Sequence, residues 1–373
     1  MGFIKYIPFG RTRYADLTTT TRPEVQLWQE LVMLRHLKRP VGISANKASA
    51  AWIDQAKTYF LDACGSDWRT AGLLYYYSFL NLSKAYLAAK RVVTASMMKS
   101  TSVYHGLSAE PQSPTRIIDF EIKVHPPLHG GKRNLFSTLC ERLTRSPWPH
   151  NGTITVRASD VLPYCTDISA ELYKFYSLKK SIIIAQSLVR DGQNTLWFEI
   201  NVPDHAVPVI QSHIPKRGTT AVNYNSMNQQ DCSDWLLAFN RTRQSLGGTT
   251  FIRTTAHPYN SNNRQNIFDL VDKDAAQCYS KHALALPVPP EYEEWQFVPR
   301  VSLAGKTINW HPLLSDYLFA FVLSTILRYH PHLLPNDTEA SFTAEAWCNQ
   351  SAVTVLRYFL MEVTTPSVRI ACS

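Results

Sequence analysis

The amino-acid sequence predicts an α+β fold, mainly a helical bundle formed from both chain ends, with an inserted α+β segment of short strands. Apolar residues recur at helical spacing over the first hundred residues, alternating runs follow from residue 111, and helical patterns return after residue 310. Helices followed by strands and by helices again are typical of α+β folds. We therefore predict a discontinuous bundle domain over residues 1–110 and 305–373, and an inserted domain over residues 111–304.

Three helices are predicted in the N-terminal part. A first helix follows Pro23, since proline is favoured in a first turn, and it ends before Pro40. Ser44 can cap a second helix that ends at Gly65. A third helix covers residues 68–93, and its middle is apolar nearly all round, which predicts a central position in the bundle.

The middle of the chain combines many prolines with short alternating runs that are typical of half-buried strands. These runs are residues 116–124, 152–159, 195–202, 249–256 and 293–303. Residues 135–143 and 168–178 are predicted to be helical, and residues 223–240, rich in Asn, Gln and Ser, to form a loop. Two further helices are predicted near the C-terminus, over residues 313–329 and 342–363.

Composition excludes several classes of protein. Apolar residues make up 45% of the 373 and charged residues 18%, which is typical of a globular chain. The longest apolar run, residues 313–327, contains Asp316 and is shorter than the ~20 residues that span a bilayer. The N-terminal residues show no secretory signal. We predict a cytoplasmic protein without a membrane partner.

No motif for a metal or a cofactor is present, and we predict neither. The seven cysteines are scattered, with no pair close enough for a zinc-binding motif, and an odd scattered set suits a reducing compartment. The sequence lacks the P-loop, the GxGxxG fingerprint, the GxSxG elbow and the HExxH zinc motif.

Positive charge is concentrated in the first half of the chain. Residues 1–190 hold 25 Lys and Arg against 13 Asp and Glu, whereas residues 191–373 hold 13 against 16. This asymmetry is typical of a protein with an anionic partner, nucleic acid above all, and we place RNA before DNA. A solvated basic face and an acidic protein partner are the alternatives.

Polar residues interrupt two apolar helices, and these are the candidate ligand-binding residues. Asn81 and Lys84 share one face of the third helix. Asp316, Ser324 and Arg328 line one stripe of the helix over residues 313–329. One interpretation is a cationic pocket for a phosphate, formed by Lys84 and Arg328 with Asn81 and Ser324 as polar orienters. The alternative is an internal network in which Arg328 bonds to a carboxylate or to helix carbonyls, with the two stripes as partners for each other.

The candidate catalytic residues are Arg328, His330 and His105. Arg328 could stabilise negative charge in a transition state, and either histidine could move protons. A histidine in a loop can equally be solvated or cap a helix.

Four blocks of the sequence resemble the YaaC-like proteins of bacteria. They are LLYYYSFLNLSKAYL (73–87), YHGL (104–107), LFSTLCERL (135–143) and NWHPLLSDYLFAFVLSTILRYHPHLLP (309–335). The final helix, VTVLRYFLMEV (353–363), also fits.

The resemblance implies a helical core similar to that of the HEPN superfamily, whose members include RNases, toxins and defence proteins. HEPN ribonucleases use an Arg-x4–6-His motif on a helix, usually completed across a dimer, so a homodimer is one implied state. Here Arg328, His330 and His332 give the shorter spacings Arg-x-His and Arg-x3-His.

We therefore predict a YaaC-like helical protein that binds nucleic acid or a nucleotide phosphate. The resemblance implies a regulatory subunit of a bacterial stress or antiphage defence assembly, with another protein subunit as a partner. The first alternative is a HEPN-like, metal-independent ribonuclease or toxin, and the second is a structural scaffold with no ligand.

Overall fold

The computed structural model of the protein describes residues 27–29, 31, 47–90, 92–93, 97, 103–109, 114–144, 146–165, 167–178, 183–192, 195–202, 219–223, 250–254, 257–258, 283–288, 294–336 and 338–364. Its helices are α1 (Lys47–Cys64), α2 (Trp68–Ala89), α3 (Leu135–Thr144), α4 (Ala158–Val161), α5 (Ser169–Tyr176), α6 (Pro312–Tyr329), α7 (Leu333–Asn336) and α8 (Thr338–Thr364), with 3-10 turns at Ile117–Asp119 and Leu162–Tyr164. Its strands are β1 (Val103–Tyr104), β2 (Leu107–Ala109), β3 (Glu121–Val124), β4 (Leu128–His129), β5 (Lys132–Asn134), β6 (Ile154–Arg157), β7 (Ile183–Gly192), β8 (Thr195–Val202), β9 (Thr219–Asn223), β10 (Thr250–Thr254), β11 (His257–Pro258), β12 (Ala283–Val288), β13 (Glu294–Leu303) and β14 (Lys306–Asn309).

The fold is α+β and mainly helical, as the sequence predicts, and the described residues belong to two compact units. One unit lies within residues 182–300 and the other within residues 11–181 and 301–373. The second unit contains all the named helices and is therefore discontinuous in sequence. Residues 114–178, which we assign to the inserted domain, lie in the helical unit. The boundaries of that domain stay a prediction.

Helix α2 lies at the centre of the helical unit, which confirms its predicted position. The Asp67 carboxylate caps its first turn by accepting a hydrogen bond from the Arg69 main-chain N–H at 2.9 Å. The helix packs against α1, α6 and α8. An all-round apolar surface is required of a helix with neighbours on several sides. One hydroxyl, that of Ser78, donates across to the Ala56 carbonyl of α1 at 2.8 Å and satisfies a buried polar group.

Aromatic rings fill the space between α2, α6 and α8. The Trp347 ring of α8 lies 5.1 Å from Phe319 of α6 and 5.9 Å from both Tyr75 and Phe79 of α2, measured between ring centroids. Both contacts to α2 are edge-to-face, an arrangement that aromatic pairs favour. Trp347 is fully buried and thus connects three helices in one core.

Gly72 allows α2 and α6 to approach closely, and we expect the Gly72→Ala variant to be less stable. A Cβ at this position would lie 2.6 Å from Cγ and Cδ2 of Leu323, a fully buried side chain. Alanine normally favours a helix over glycine by up to ~1 kcal/mol, but overpacking of a core costs about 1–3 kcal/mol. We expect a net loss in the free energy of unfolding, measured by urea denaturation. A double variant that also carries Leu323→Ala should not add the two losses, since the second change removes the clash.

Two three-stranded sheets extend the helical unit. One has the order β2-β3-β6 and is antiparallel, and the other has the order β1-β5-β4, with β1 parallel to β5. Gly106, between β1 and β2, has φ +80, and a Cβ there would lie 2.7 Å from the Asn134 Cβ. Only glycine fits such a left-handed turn against a neighbouring chain. The turn places His105 beside α3, where its carbonyl accepts a hydrogen bond from the Phe136 N–H at 3.1 Å.

The other unit contains most of a larger antiparallel sheet with the order β12-β13-β7-β8-β10-β9, in which β11 also pairs with β8. Strand β8 has the predicted bounds, and β10 and β13 lie within predicted runs. The run 116–124 is different, because its first half forms the turn Ile117–Asp119 and only Glu121–Val124 is a strand. Most of the predicted first helix and of the predicted loop 223–240 lies outside the described residues.

Candidate functional site

Three nitrogen bases from separate elements meet on one side of the helical unit. Lys84 lies near the end of α2, Arg328 in the last turn of α6, and His105 between β1 and β2. Burial lowers the pKa of His105, and the charges of Arg328, His125 and Lys84 lower it further. His105 remains exposed along one edge while its ring packs against Phe321, with 6.1 Å between ring centroids. The His105 Nδ1 accepts a hydrogen bond from the Leu107 main-chain N–H at 3.2 Å, so His105 is the neutral member of the group. We call Lys84, His105 and Arg328 the cationic cluster, in which Lys84 and Arg328 carry the charge.

Arg328 is exposed and held by its own helix. Its Nε donates a hydrogen bond to the Ser324 carbonyl at 3.0 Å, and its guanidinium carbon lies 5.1 Å from the centre of the Tyr329 ring. Within the part of the chain that the structure describes, the two terminal nitrogens make no hydrogen bond and no ion pair. The fork of the guanidinium therefore remains available to a ligand.

Lys84 is half-buried and has no carboxylate partner among the residues that the structure describes. Burial alone lowers the pKa of its ammonium group. The ion pairs found among the described residues involve Arg69, Arg116 and Arg157, and none of them involves Lys84. A partly desolvated cation without a carboxylate costs free energy unless an anion binds beside it. Arg328 is exposed and Lys84 is half-buried, so neither cation is enclosed in the core of the helical unit.

Asn81 and Ser324 occupy different positions relative to the cluster. Asn81 is buried on α2, three residues before Lys84. Ser324 is fully buried, and its hydroxyl donates to the Phe321 carbonyl of the same helix at 2.8 Å. Its carbonyl is the group that holds Arg328. Ser324 thus positions the guanidinium through the main chain, while a contact of its hydroxyl with a ligand stays a prediction.

His330 ends α6 and contacts rings outside the cluster. Its N–H donates to the Ile326 carbonyl and closes the last turn of α6. Its ring contacts Phe120 and His332, with centroid distances of 5.9 and 6.0 Å. Arg328 and Lys84 both lower the pKa of His105. A shared site for the three residues and a catalytic role for any of them stay predictions.

Asp316 does not pair with the cationic cluster. The carboxyl is buried, its Oδ1 accepts a hydrogen bond from the Trp347 indole N–H at 3.0 Å, and its Oδ2 has no partner among the described residues. Burial and the nearby Asp167 raise the pKa of Asp316 well above its usual range. The expectation that the two polar stripes pair with each other is wrong for this residue, because its partner belongs to α8.

Two exposed tyrosines beside the cluster were not selected from the sequence. Tyr104 precedes His105 and is 39% exposed, while Tyr329 follows Arg328 and is 66% exposed. The Lys132 ammonium lies 4.5 Å from the centre of the Tyr104 ring. In the sequence these tyrosines are marked only by being next to a cluster residue, and this can be used only after the cluster has been identified.

Metal ligation and membrane insertion find no support in the described residues. Among them no group of three or more His, Cys, Asp or Glu side chains could hold a metal ion. No helix in the same residues has the length and apolar character that crossing a membrane requires.

The fold and the site define an α+β protein whose helical bundle presents a cationic cluster at its surface. The chain belongs to the YaaC-like protein family, whose model matches residues 21–362. No curated protein and no solved structure matches the chain. The similarity of the helical core to the HEPN superfamily therefore stays a prediction.

Proposed function

We propose that this YaaC-like protein binds the phosphate backbone of nucleic acid, RNA in preference to DNA, through the cationic cluster. The observation that carries the proposal is that the charges of Arg328 and Lys84 both act on His105, while neither cation has a carboxylate partner among the described residues. A bound anion would offset the desolvation of Lys84 and would attract the exposed charge of Arg328. The excess of basic residues in the first half of the chain would support the same partner over a longer range.

The guanidinium of Arg328 is suited to a phosphate. Its planar fork can donate two parallel hydrogen bonds to phosphate oxygens, and the bond from Nε to Ser324 fixes the side chain before binding. Lys84 supplies a point charge at the buried side of the cluster. A nucleotide phosphate is the smaller ligand that the same groups could hold.

A non-catalytic, regulatory role in a bacterial stress or antiphage defence assembly completes the proposal. This role, with a second protein subunit or a second copy of the chain as partner, rests on the family resemblance. The ribonuclease alternative would use His105 beside Arg328 and is separated from the proposal by a cleavage assay. The scaffold alternative predicts that no anion binds.

Removal of either cation is expected to weaken RNA binding. Arg328→Ala and Lys84→Met each delete one charge, and methionine retains an apolar stem of similar length to that of lysine. For a single strand, each lost phosphate contact should reduce the slope of log affinity against log salt by about 0.7. The measurement is fluorescence anisotropy of a labelled RNA at several salt concentrations. The matched control is Lys174→Ala, an exposed cation on α5, which carries no cluster residue.

The outcome in the two variants separates the three functions. Lys84→Met should be at least as stable as the native chain, since a charge whose pKa burial lowers is removed. Weaker binding at unchanged stability supports the proposal, and cleavage of RNA in the presence of EDTA would support the ribonuclease instead. The proposal fails if the native chain binds no RNA, or if both variants bind as it does.

A further inference from the structure

Two exposed tyrosines beside the cationic cluster have no part in the proposed phosphate contacts. Tyr104 and Tyr329 are large apolar rings at a surface where the chain otherwise presents cations. Each is the immediate chain neighbour of a cluster residue, His105 or Arg328, so each Cα lies ~3.8 Å from that of its neighbour. Since the His105 ring packs against Phe321 of α6, with 6.1 Å between ring centroids, the turn that carries Tyr104 and the helix that carries Tyr329 are neighbours.

Each ring already has a cation over one face. The Lys132 ammonium lies 4.5 Å from the Tyr104 ring centre, and the Arg328 guanidinium lies 5.1 Å from the Tyr329 ring centre. A cation on one face holds the ring in place and leaves area for an aromatic ligand to stack. A basic surface with exposed aromatic rings is the arrangement that holds single strands, because every base has a π-face.

We propose that the ligand of the cationic cluster is a single-stranded nucleic acid, with unpaired bases stacked on Tyr104 and Tyr329. This inference rests on the proposed function and adds the strandedness of the ligand and the residues that select it. A duplex keeps its bases stacked on each other and can offer only its backbone to the cluster. Binding should therefore favour an unpaired strand of any sequence over a duplex of equal charge.

The test uses anisotropy with three labelled probes: a ten-nucleotide oligo(U), an abasic strand with the same number of phosphates, and an RNA hairpin whose fully paired stem is closed by an abasic loop. Tyr104→Ala and Tyr329→Ala should each weaken oligo(U) binding about tenfold. The same variants should bind the abasic strand as the native chain does, since that strand has no base to lose. Tyr104→Phe and Tyr329→Phe retain the rings and should behave like the native chain.

Tyr173→Ala is the matched control, because this tyrosine is also exposed, at 58%, but lies on α5. The inference is overturned if the paired hairpin binds as tightly as oligo(U), or if both alanine variants bind oligo(U) unchanged. In those cases the proposed function still stands, provided that Arg328→Ala and Lys84→Met weaken binding. If no probe binds the native chain, both the proposed function and this inference fail.

Discussion

Trp347→Ala is expected to unfold the helical bundle under conditions in which the native chain is folded. The ring is fully buried and contacts α2 and α6 through Tyr75, Phe79 and Phe319. Truncation of a buried aromatic side chain to alanine costs about 3–5 kcal/mol, because buried apolar surface is lost and a cavity remains in the core. Such a loss is a large share of the ~5–15 kcal/mol that stabilises a typical protein.

Thermal unfolding followed by circular dichroism would measure this loss of stability. The Trp347→Phe variant would separate the contribution of the hydrogen bond from that of the buried ring. Phenylalanine retains a ring but lacks the indole N–H that donates a hydrogen bond to Asp316. The Asp316 carboxyl would then keep only its contact with the Cys165 thiol, and loss of the indole donor should cost about 1–3 kcal/mol. We expect an intermediate melting temperature for this variant. A native-like melting temperature for Trp347→Ala would contradict the assignment of this residue to the core.

Asp316→Asn is expected to remove a pH-dependent loss of stability. Burial and Asp167 raise the pKa of Asp316 in the folded protein, so the folded carboxyl holds a proton that the unfolded chain releases. Stability due to this group is therefore present below the unfolded pKa of ~3.9 and is lost as the pH rises towards the folded pKa. Over that interval the loss approaches 1.4 kcal/mol for each pH unit, at most.

Asparagine cannot ionise, and its Oδ1 can still accept the Trp347 N–H. The difference in the free energy of unfolding between the variant and the native chain should therefore grow in favour of the variant above about pH 4. Urea denaturation of both proteins from pH 4 to pH 8 measures it, since the other titrating groups are shared and cancel. Asp316→Ala provides the comparison, because it removes the charge but leaves a cavity. A constant difference across this range would contradict the raised pKa.

The helices could be predicted because their signals are local. The start of α2 after Asp67 and the apolar surface of α6 can be recognised within one or two turns of sequence. Lys84 and Arg328 were selected for the same reason, as isolated cations in apolar helices. Whether the two residues share a site depends on the packing of α2 against α6, which periodicity does not determine.

The remainder of the site depends on pairings that are distant in sequence. His105 reaches the cluster because β1 pairs with β5, with Val103 opposite Arg133. The hydrogen bond between Asp316 and Trp347 cannot be predicted from local sequence, because Trp347 lies 31 residues further on, in α8. Tyr104 and Tyr329 are ordinary exposed tyrosines until the cations beside them are located. Local sequence thus indicated the charged groups, and the tertiary fold determined their neighbours.

The discontinuous helical unit has a consequence for synthesis on the ribosome. Helix α2 is complete at Ala89, but α6, which covers it, begins only at Pro312. At ~5–20 residues per second, the ribosome needs roughly 10–45 s to make the chain between them. During that time the aromatic surface of α2 that faces α6 and α8 has no native cover on the nascent chain. We therefore expect the growing polypeptide to need chaperones until α6 and α8 have emerged from the ribosome.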